Sequence, residues 1–363
     1  MSVQPMVSLG LAPIVFRFGR LGDMVMLTSL LQILRARYGK PCELYAAGPW
    51  NEALYAGNPE ISRLWSLPRH TPIGISASWW RAWWRLLSSG DRPVYVSENR
   101  PRQLRRIRRL LWLAGVKQER CVFITDMPGD IHAHWLDRLV QFGARTPASL
   151  SRLPVAASLV DRVWRPQIHL LPGELTAARA WLALRGVGTR KIILIQPGNF
   201  RTRSAGHGEP RHRDDKAWPL TSWVLLLQRI ARERPDAEVL VCGAPKESTL
   251  VTQIVAAVRH ERVASAVLPL RPFLSLCRLA DSMISIDTGP AHVAAALGVP
   301  VTVMYGSESP ATWLPVSGDG SAVSSVGGPP RSRVSDVSID EVFACWQGIV
   351  GTRADRAAPG NAS

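Results

Sequence analysis

Short apolar runs alternate along this chain with longer stretches whose apolar residues recur every three or four positions. Pro13-Ile14-Val15-Phe16-Arg17-Phe18 has the character of a strand. Val25, Leu27, Leu30, Leu31 and Leu34 then fall at helical spacing over residues 23–38, and Gly39-Lys40-Pro41 stops that helix. Further strands are predicted from Cys42 to Gly48, around Val94 and around Val122. The rhythm is clearer in the second half, with strands at 192–196, 237–242, 283–286 and 301–305 and helices at 221–232, 246–258 and 291–297. Alternation of this kind predicts an α/β protein with two parallel, doubly wound sheets. A stretch rich in Pro, Ser and Ala at 145–172 separates a first domain, 1–165, from a second, 170–335. A Gly/Ser/Pro loop is expected at 318–332, a last helix within 336–352 and a disordered tail at 353–363.

The length of 363 residues suits two domains, and 46% apolar with 20% charged residues is the composition of a soluble globular chain. No run of about 18 apolar residues offers a membrane span. The first residues lack a basic region, so they are expected to be a disordered tip and not a signal peptide. Five cysteines lie far apart, which suits free thiols in a reducing cytoplasm and gives no metal-site spacing. Net charge is +16, and residues 1–160 hold 21 Lys and Arg against 10 Asp and Glu. A basic first half implies an anionic partner: nucleic acid, an acidic membrane surface or a phosphorylated substrate.

Three turns in the second half carry candidate chemistry. In Ser285-Ile286-Asp287-Thr288-Gly289-Pro290-Ala291-His292 a strand gives way to a helix, with Pro290 suited to a first helical position. Asp287, Thr288 and the amides after Gly289 then surround a helix N-terminus, which favours a phosphate; the plainer alternative is that Asp287 or Thr288 caps the helix. Gln196-Pro197-Gly198-Asn199 turns at the carboxyl edge of a sheet, where ligands of open α/β folds bind. A long polar loop leads from it to Lys216, either a point charge for a diphosphate or a solvated loop lysine. Glu247, in the turn after Val241-Cys242-Gly243, either accepts from a ribose hydroxyl pair or complements a helix dipole. Together these turns describe one nucleotide pocket. In the first half Asp23 stands between a strand and a helix, either as a cap or as a base.

These residues give the chain a resemblance to glycosyltransferase family 9, the bacterial heptosyltransferases of lipopolysaccharide assembly. It rests on Gly22-Asp23 with Thr28, on Gln196-Pro197-Gly198 followed by Lys216-x-Trp218-Pro219, and on Gly243 with Glu247. It rests above all on Asp287-Thr288-Gly289-Pro290-x-His292-x-x-Ala295-Ala296-Leu297-Gly298-x-Pro300, with Tyr305-Gly306 and Trp313-x-Pro315 trailing. Ser29 departs from the pattern, standing where many relatives carry proline. The resemblance implies a GT-B fold, two Rossmann-like parallel-sheet domains facing a central cleft, and an inverting mechanism with no metal and no cofactor. Lys216 would contact the nucleotide sugar, Glu247 the ribose, and Asp287 the sugar. Thr288, Gly289 and His292 would meet the diphosphate, unless His292 only bonds a local backbone group. Asp23 would be the general base that takes the acceptor proton while ADP leaves from the far face. The implied substrates are ADP-heptose or a related nucleotide sugar and an anionic lipopolysaccharide precursor (lipid A–Kdo or a core heptose). The implied setting is the cytoplasmic face of the inner membrane, held peripherally. A transferase of the same family with another sugar or acceptor is the near alternative.

Two segments of the first half are unusual. Trp79 and Trp83, like Trp80 and Trp84, form i, i+4 pairs, and Arg102, Arg105, Arg106 and Arg109 recur at helical spacing. Tryptophan with arginine marks an interfacial helix at an anionic membrane, or else a packed aromatic core beside a solvated arginine face. An acidic, phosphorylated acceptor accounts for both segments, so Arg102, Arg105, Arg106, Arg109, Trp79 and Trp83 are expected on an acceptor or membrane surface. The charge also raises a nucleic-acid-binding protein as the reading from a different class, but no recognisable binding motif supports it and no nucleic acid is expected as partner. A nicotinamide dehydrogenase would need Gly-x-Gly-x-x-Gly after a strand, which the chain lacks.

Overall fold

The computed structural model describes residues 10–69, 71, 75–128, 133–152, 158–199 and 215–350. The expected tip at residues 1–9, the loop at 200–214 and the expected tail at 353–363 lie outside the described residues. The chain divides into two compact units, Met1–His169 and Leu170–Ser363.

In chain order unit 1 comprises β1 (Ile14–Arg17), α1 (Leu21–Tyr38), β2 (Cys42–Ala46), α2 (Asn51–Tyr55), β3 (Ile61–Ser66) and α3 (Ala77–Leu87). It continues with β4 (Val94–Val96), α4 (Pro101–Leu113), β5 (Cys121–Phe123), α5 (Trp135–Ala144) and α6 (Ser158–Asp161). The strands pair in parallel in the order β3-β2-β1-β4-β5. The order reverses at β1, which is buried along its whole length and therefore lacks polar alternation. Ile14, Phe16 and Phe18 pack with Trp79, Ala82 and Leu86 of α3 and with Ile107, Leu110 and Leu111 of α4. On α1, Ile33 packs with Leu159 and Trp164.

Two expectations are corrected here. Trp79 is not a surface residue: it is fully buried, because it lies on the face of α3 that closes the core over Phe18. Arg106 is not an open anion contact either. Its guanidinium lies over the Trp79 ring, 5.0 Å from the centroid, and donates to the carbonyls of Arg69 and Thr71.

Unit 2 begins with α7 (Glu174–Leu184), β6 (Lys191–Gln196), α8 (Leu220–Glu233), β7 (Ala237–Gly243), α9 (Ser248–Val258) and β8 (Val263–Val267). There follow α10 (Leu270–Leu279), β9 (Ser282–Ile286), α11 (Gly289–Ala296), β10 (Val301–Tyr305), α12 (Pro310–Trp313), β11 (Val323–Gly327) and α13 (Ile339–Gln347). Its strands are again parallel, in the order β11-β10-β9-β6-β7-β8, with the reversal between β6 and β9. Trp223 of α8 and Trp346 of α13 are fully buried in its core. Truncating either to alanine would cost about 3–5 kcal/mol, lost burial and a residual cavity together. The segment expected as a loop at 318–332 contains β11, an edge strand whose Ser and Gly content hides it from an apolar count. The two parallel sheets expected of a GT-B protein are both present. Among the described residues no helix is long and apolar enough to cross a membrane.

Candidate active-site residues

In a doubly wound sheet, strands on either side of the reversal send their following loops apart and leave a crevice at their carboxyl ends. In unit 2 that point lies between β6 and β9, and both are followed by candidate residues. Asp287 follows β9; its N–H donates to the Met304 carbonyl at 2.9 Å, and its carboxylate pairs with the Lys216 ammonium. Lys216 is delivered there by a segment fastened on both sides. Trp218 is buried against Trp223, and its indole N–H donates to the Val337 carbonyl at 2.9 Å. The Asp215 carbonyl accepts from the Val334 N–H at 2.7 Å, and the Asp215 carboxylate accepts from the Ser307 hydroxyl. Gly306 makes room for this crossing, since a Cβ there would lie 2.5 Å from the Asp215 carbonyl oxygen.

Thr288 is the N-cap of α11 in extended conformation, with Gly289 and Pro290 opening the helix, yet its side chain makes no capping bond. Asp287 is engaged by Lys216 instead of by the helix. Side-chain capping is therefore not what this turn does, and the partial positive charge of the helix terminus faces the same edge as Lys216. His292, in the first helical turn, is buried at 6% exposure. Glu247 is also 6% exposed; one carboxylate oxygen accepts from the Ala244 N–H at 2.7 Å. The other lies beside Gly198, where a Cβ would stand 3.0 Å from it. The turns after β6 and β7 thus touch, and those after β6 and β9 flank the reversal. Among the described residues no group of three or more His, Cys, Asp and Glu is arranged to hold a metal ion.

In unit 1 the reversal lies between β1 and β4, and again a candidate follows the strand. Asp23 sits in the first turn of α1. One oxygen accepts from the Arg20 N–H at 2.7 Å, which is the capping bond; the other accepts from the Arg17 guanidinium at 3.0 Å. Arg100 stands 3.6 Å away. Gly19 lets this pair close, since a Cβ there would meet the Asp23 Cβ at 2.6 Å and Arg17 Nε at 3.0 Å. Burial pushes the Asp23 carboxyl up, but Arg17, the Arg20 amide and Arg100 outweigh it, and the net shift is downward. Asp23 is thus held as a carboxylate.

Several neighbours of Asp23 escape a motif-based reading. Arg17 is buried at the end of β1, lies over the Trp135 ring at 4.9 Å and donates to the Ser97 carbonyl at 2.5 Å. Glu98, buried just after β4, accepts from the Phe18 and Arg100 amides at 2.9 and 3.0 Å. Arg69 donates to the Phe18 and Gly19 carbonyls at 2.6 and 2.8 Å. The available signal was a single charge at the end of each apolar strand run: Arg17 in Ile-Val-Phe-Arg, and Glu98 two residues after Val96.

On the outer layer of unit 1, Arg102, Arg105 and Arg109 of α4 are exposed, as expected. Trp83 is half-buried, and its indole N–H donates to the Leu113 carbonyl at 2.9 Å.

Comparison with known proteins agrees with this layout. Residues 189–339 match the family model of glycosyltransferase family 9 (heptosyltransferase). Lipopolysaccharide heptosyltransferase 2 of Salmonella typhimurium is 23% identical over 341 residues, 87% of this chain and 89% of that protein. Among solved structures, a family 9 glycosyl transferase from Veillonella parvula superposes with a TM-score of 0.73 at 14% identity, over 96% of this chain and 99% of that one. The ADP-heptose lps heptosyltransferase II of E. coli gives a TM-score of 0.67 at 19% identity, over 93% and 98%. At such identities the structural likeness shows the fold alone. Residues 189–339, which carry the turns after β6, β7 and β9, are thus similar to glycosyltransferase family 9 (heptosyltransferase).

Proposed function

We propose that this glycosyltransferase moves a heptose from an ADP-sugar to the inner core of a lipopolysaccharide precursor, with inversion at the anomeric carbon and without a metal. The observation that carries the reading is the meeting of Lys216 with Asp287 beside the uncapped start of α11, one strand away from Gly198 and two from Glu247. That edge offers a fixed cation and helix-terminal amides for a diphosphate, and a buried carboxylate for a ribose hydroxyl pair.

In this mechanism Glu247 holds the ribose, while Thr288, Gly289, His292 and Lys216 bind the diphosphate. Asp287 orients the sugar. Charge builds on the departing ADP as the glycosidic bond breaks, and Lys216 with the α11 terminus stabilises it. Asp23 takes the proton of the acceptor hydroxyl as that oxygen attacks. Its ionised state, enforced by Arg17, is the form a base requires. The printed names of the relatives support the donor and acceptor classes: a lipopolysaccharide heptosyltransferase, and an E. coli heptosyltransferase solved with ADP. A lipid-borne acceptor assigns the protein to the cytoplasmic face of the inner membrane, as a peripheral enzyme.

The test is acceptor-dependent ADP release from ADP-heptose in the presence of EDTA, using deacylated, Kdo-bearing core acceptors, with product configuration read by NMR. Inverted heptosyl product is the expected result. Release that depends on added divalent metal, or transfer only from a different nucleotide sugar, would refute the respective part.

A further inference from the structure

We infer that the outer face of α3 and the end of α4 form a docking surface for an anionic lipid bilayer, with tryptophan rings seated at headgroup depth. Trp80, Trp84 and Leu87 lie one turn apart along α3 and are 55%, 71% and 47% exposed. Beside them the end of α4 presents Trp112 at 76% and Leu113 at 42%. The two helix faces are one surface, because Trp83 joins them: its ring lies 5.6 Å from Trp80 and 6.1 Å from Trp84, and its N–H donates to the Leu113 carbonyl. Folded monomers rarely leave an aromatic cluster this exposed uncovered.

What covers it is indicated by its rim. Arg63 and Arg81 line an open groove of about 460 Å³ together with Trp65, Trp80 and Trp84; Arg85 lines it too, with its guanidinium paired to the Glu43 carboxylate. Arg102, Arg105 and Arg109 run along α4 at the spacing that ends on Trp112, so one exposed stripe is basic along its length and aromatic at its tip. Neither α3 nor α4 contains an Asp or Glu. Apolar rings flanked by guanidinium groups match the interfacial zone of an anionic membrane: rings at the acyl boundary, cations on phosphates. The Trp79 side of α3 and the Ile107 side of α4 are in the core, so the helices lie flat on the unit with this face outward. The geometry stands on unit 1 alone; only its purpose, bringing the enzyme to a lipid-borne acceptor, rests on the transfer reading.

The experiment is vesicle co-sedimentation of the full chain and of the triple variant Trp80→Ser, Trp84→Ser, Trp112→Ser. The vesicles are phosphatidylcholine alone or phosphatidylcholine with phosphatidylglycerol. The parent should sediment with the anionic vesicles only, and the variant should lose at least about tenfold in partitioning. ADP release on a water-soluble, deacylated acceptor should be equal for both, which separates docking from chemistry. Equal partitioning of the two proteins, or parental binding to neutral vesicles alone, would overturn the proposal. So would a parental dimer that the three substitutions convert to monomer, since the face would then bury a second copy. Absence of transfer on the soluble acceptor in both proteins would count against the proposed reaction and not against docking.

Discussion

Lys216 reaches across 71 positions of sequence to pair with Asp287, so the ammonium proposed for the diphosphate is held by the acid proposed to orient the sugar. Binding of a diphosphate and retention of that ion pair compete for the same ammonium. Replacing Lys216 by methionine should raise the dissociation constant for ADP about tenfold, the worth of a charge-assisted hydrogen bond. Asp287→Asn should leave ADP binding as tight as in the parent, or tighter, while transfer falls at least about tenfold. Calorimetric titration with ADP, beside turnover, separates the two outcomes; equal weakening of ADP by both variants would refute this division of roles.

Asp23→Asn keeps the shape of the first turn of α1 and removes the proton acceptor. Transfer should fall by about 10²–10⁴-fold, the usual contribution of a general base, with ADP affinity unchanged. Near-parental turnover would show that the role of Asp23 is structural, through its contacts with Arg20 N–H, Arg17 and Arg100.

The acid limb of the rate profile follows from the same contacts. Because the Asp23 carboxyl is shifted down, it stays ionised through the ordinary carboxylate range, and kcat/KM should decline only at lower pH. Arg100→Gln removes one of the cations that lower it, so the limb should move to higher pH. A limb that does not move on this substitution would mean that another group controls it.

Gly306→Ala places a methyl group 2.5 Å from the Asp215 carbonyl oxygen, a contact that only a backbone shift can relieve. The 215–216 segment must then move, and with it Lys216. ADP affinity should drop several-fold although Gly306 itself offers no side chain to a ligand. Glu247→Gln, by contrast, should weaken ADP while leaving inorganic pyrophosphate, which has no ribose, bound as before.

The clearest strands in the sequence are those buried on both faces, although the half-buried edge strand β5 was legible too. β1, β6, β7, β9 and β10 are mostly apolar and almost wholly buried, and such runs stand out from their turns. The edge strands β3, β8 and β11 were missed because a strand with one open side keeps residues such as Ser62, Arg63, Ser265 and Ser325. The unit 2 candidates Gly198, Glu247, Asp287 and Thr288 could be singled out because each stands just after a legible strand, whereas Lys216 lies beyond the long loop that follows β6. The surroundings of Asp23 were not legible, since Arg17, Arg69 and the pair Glu98 and Arg100 come from three segments that only the sheet order brings together. Trp79 was misplaced for a related reason: four tryptophans on one helix give no period that says which ring turns inward.

The clamp on the Lys216 segment is fastened by Val334 and Val337, more than a hundred residues downstream. On the proposed reading, the second unit would bind donor only once its last stretch has emerged and docked. A protein truncated ahead of residue 334 would retain every nucleotide-contacting side chain proposed above but lose the Val334 and Val337 bonds that fasten the Lys216 segment.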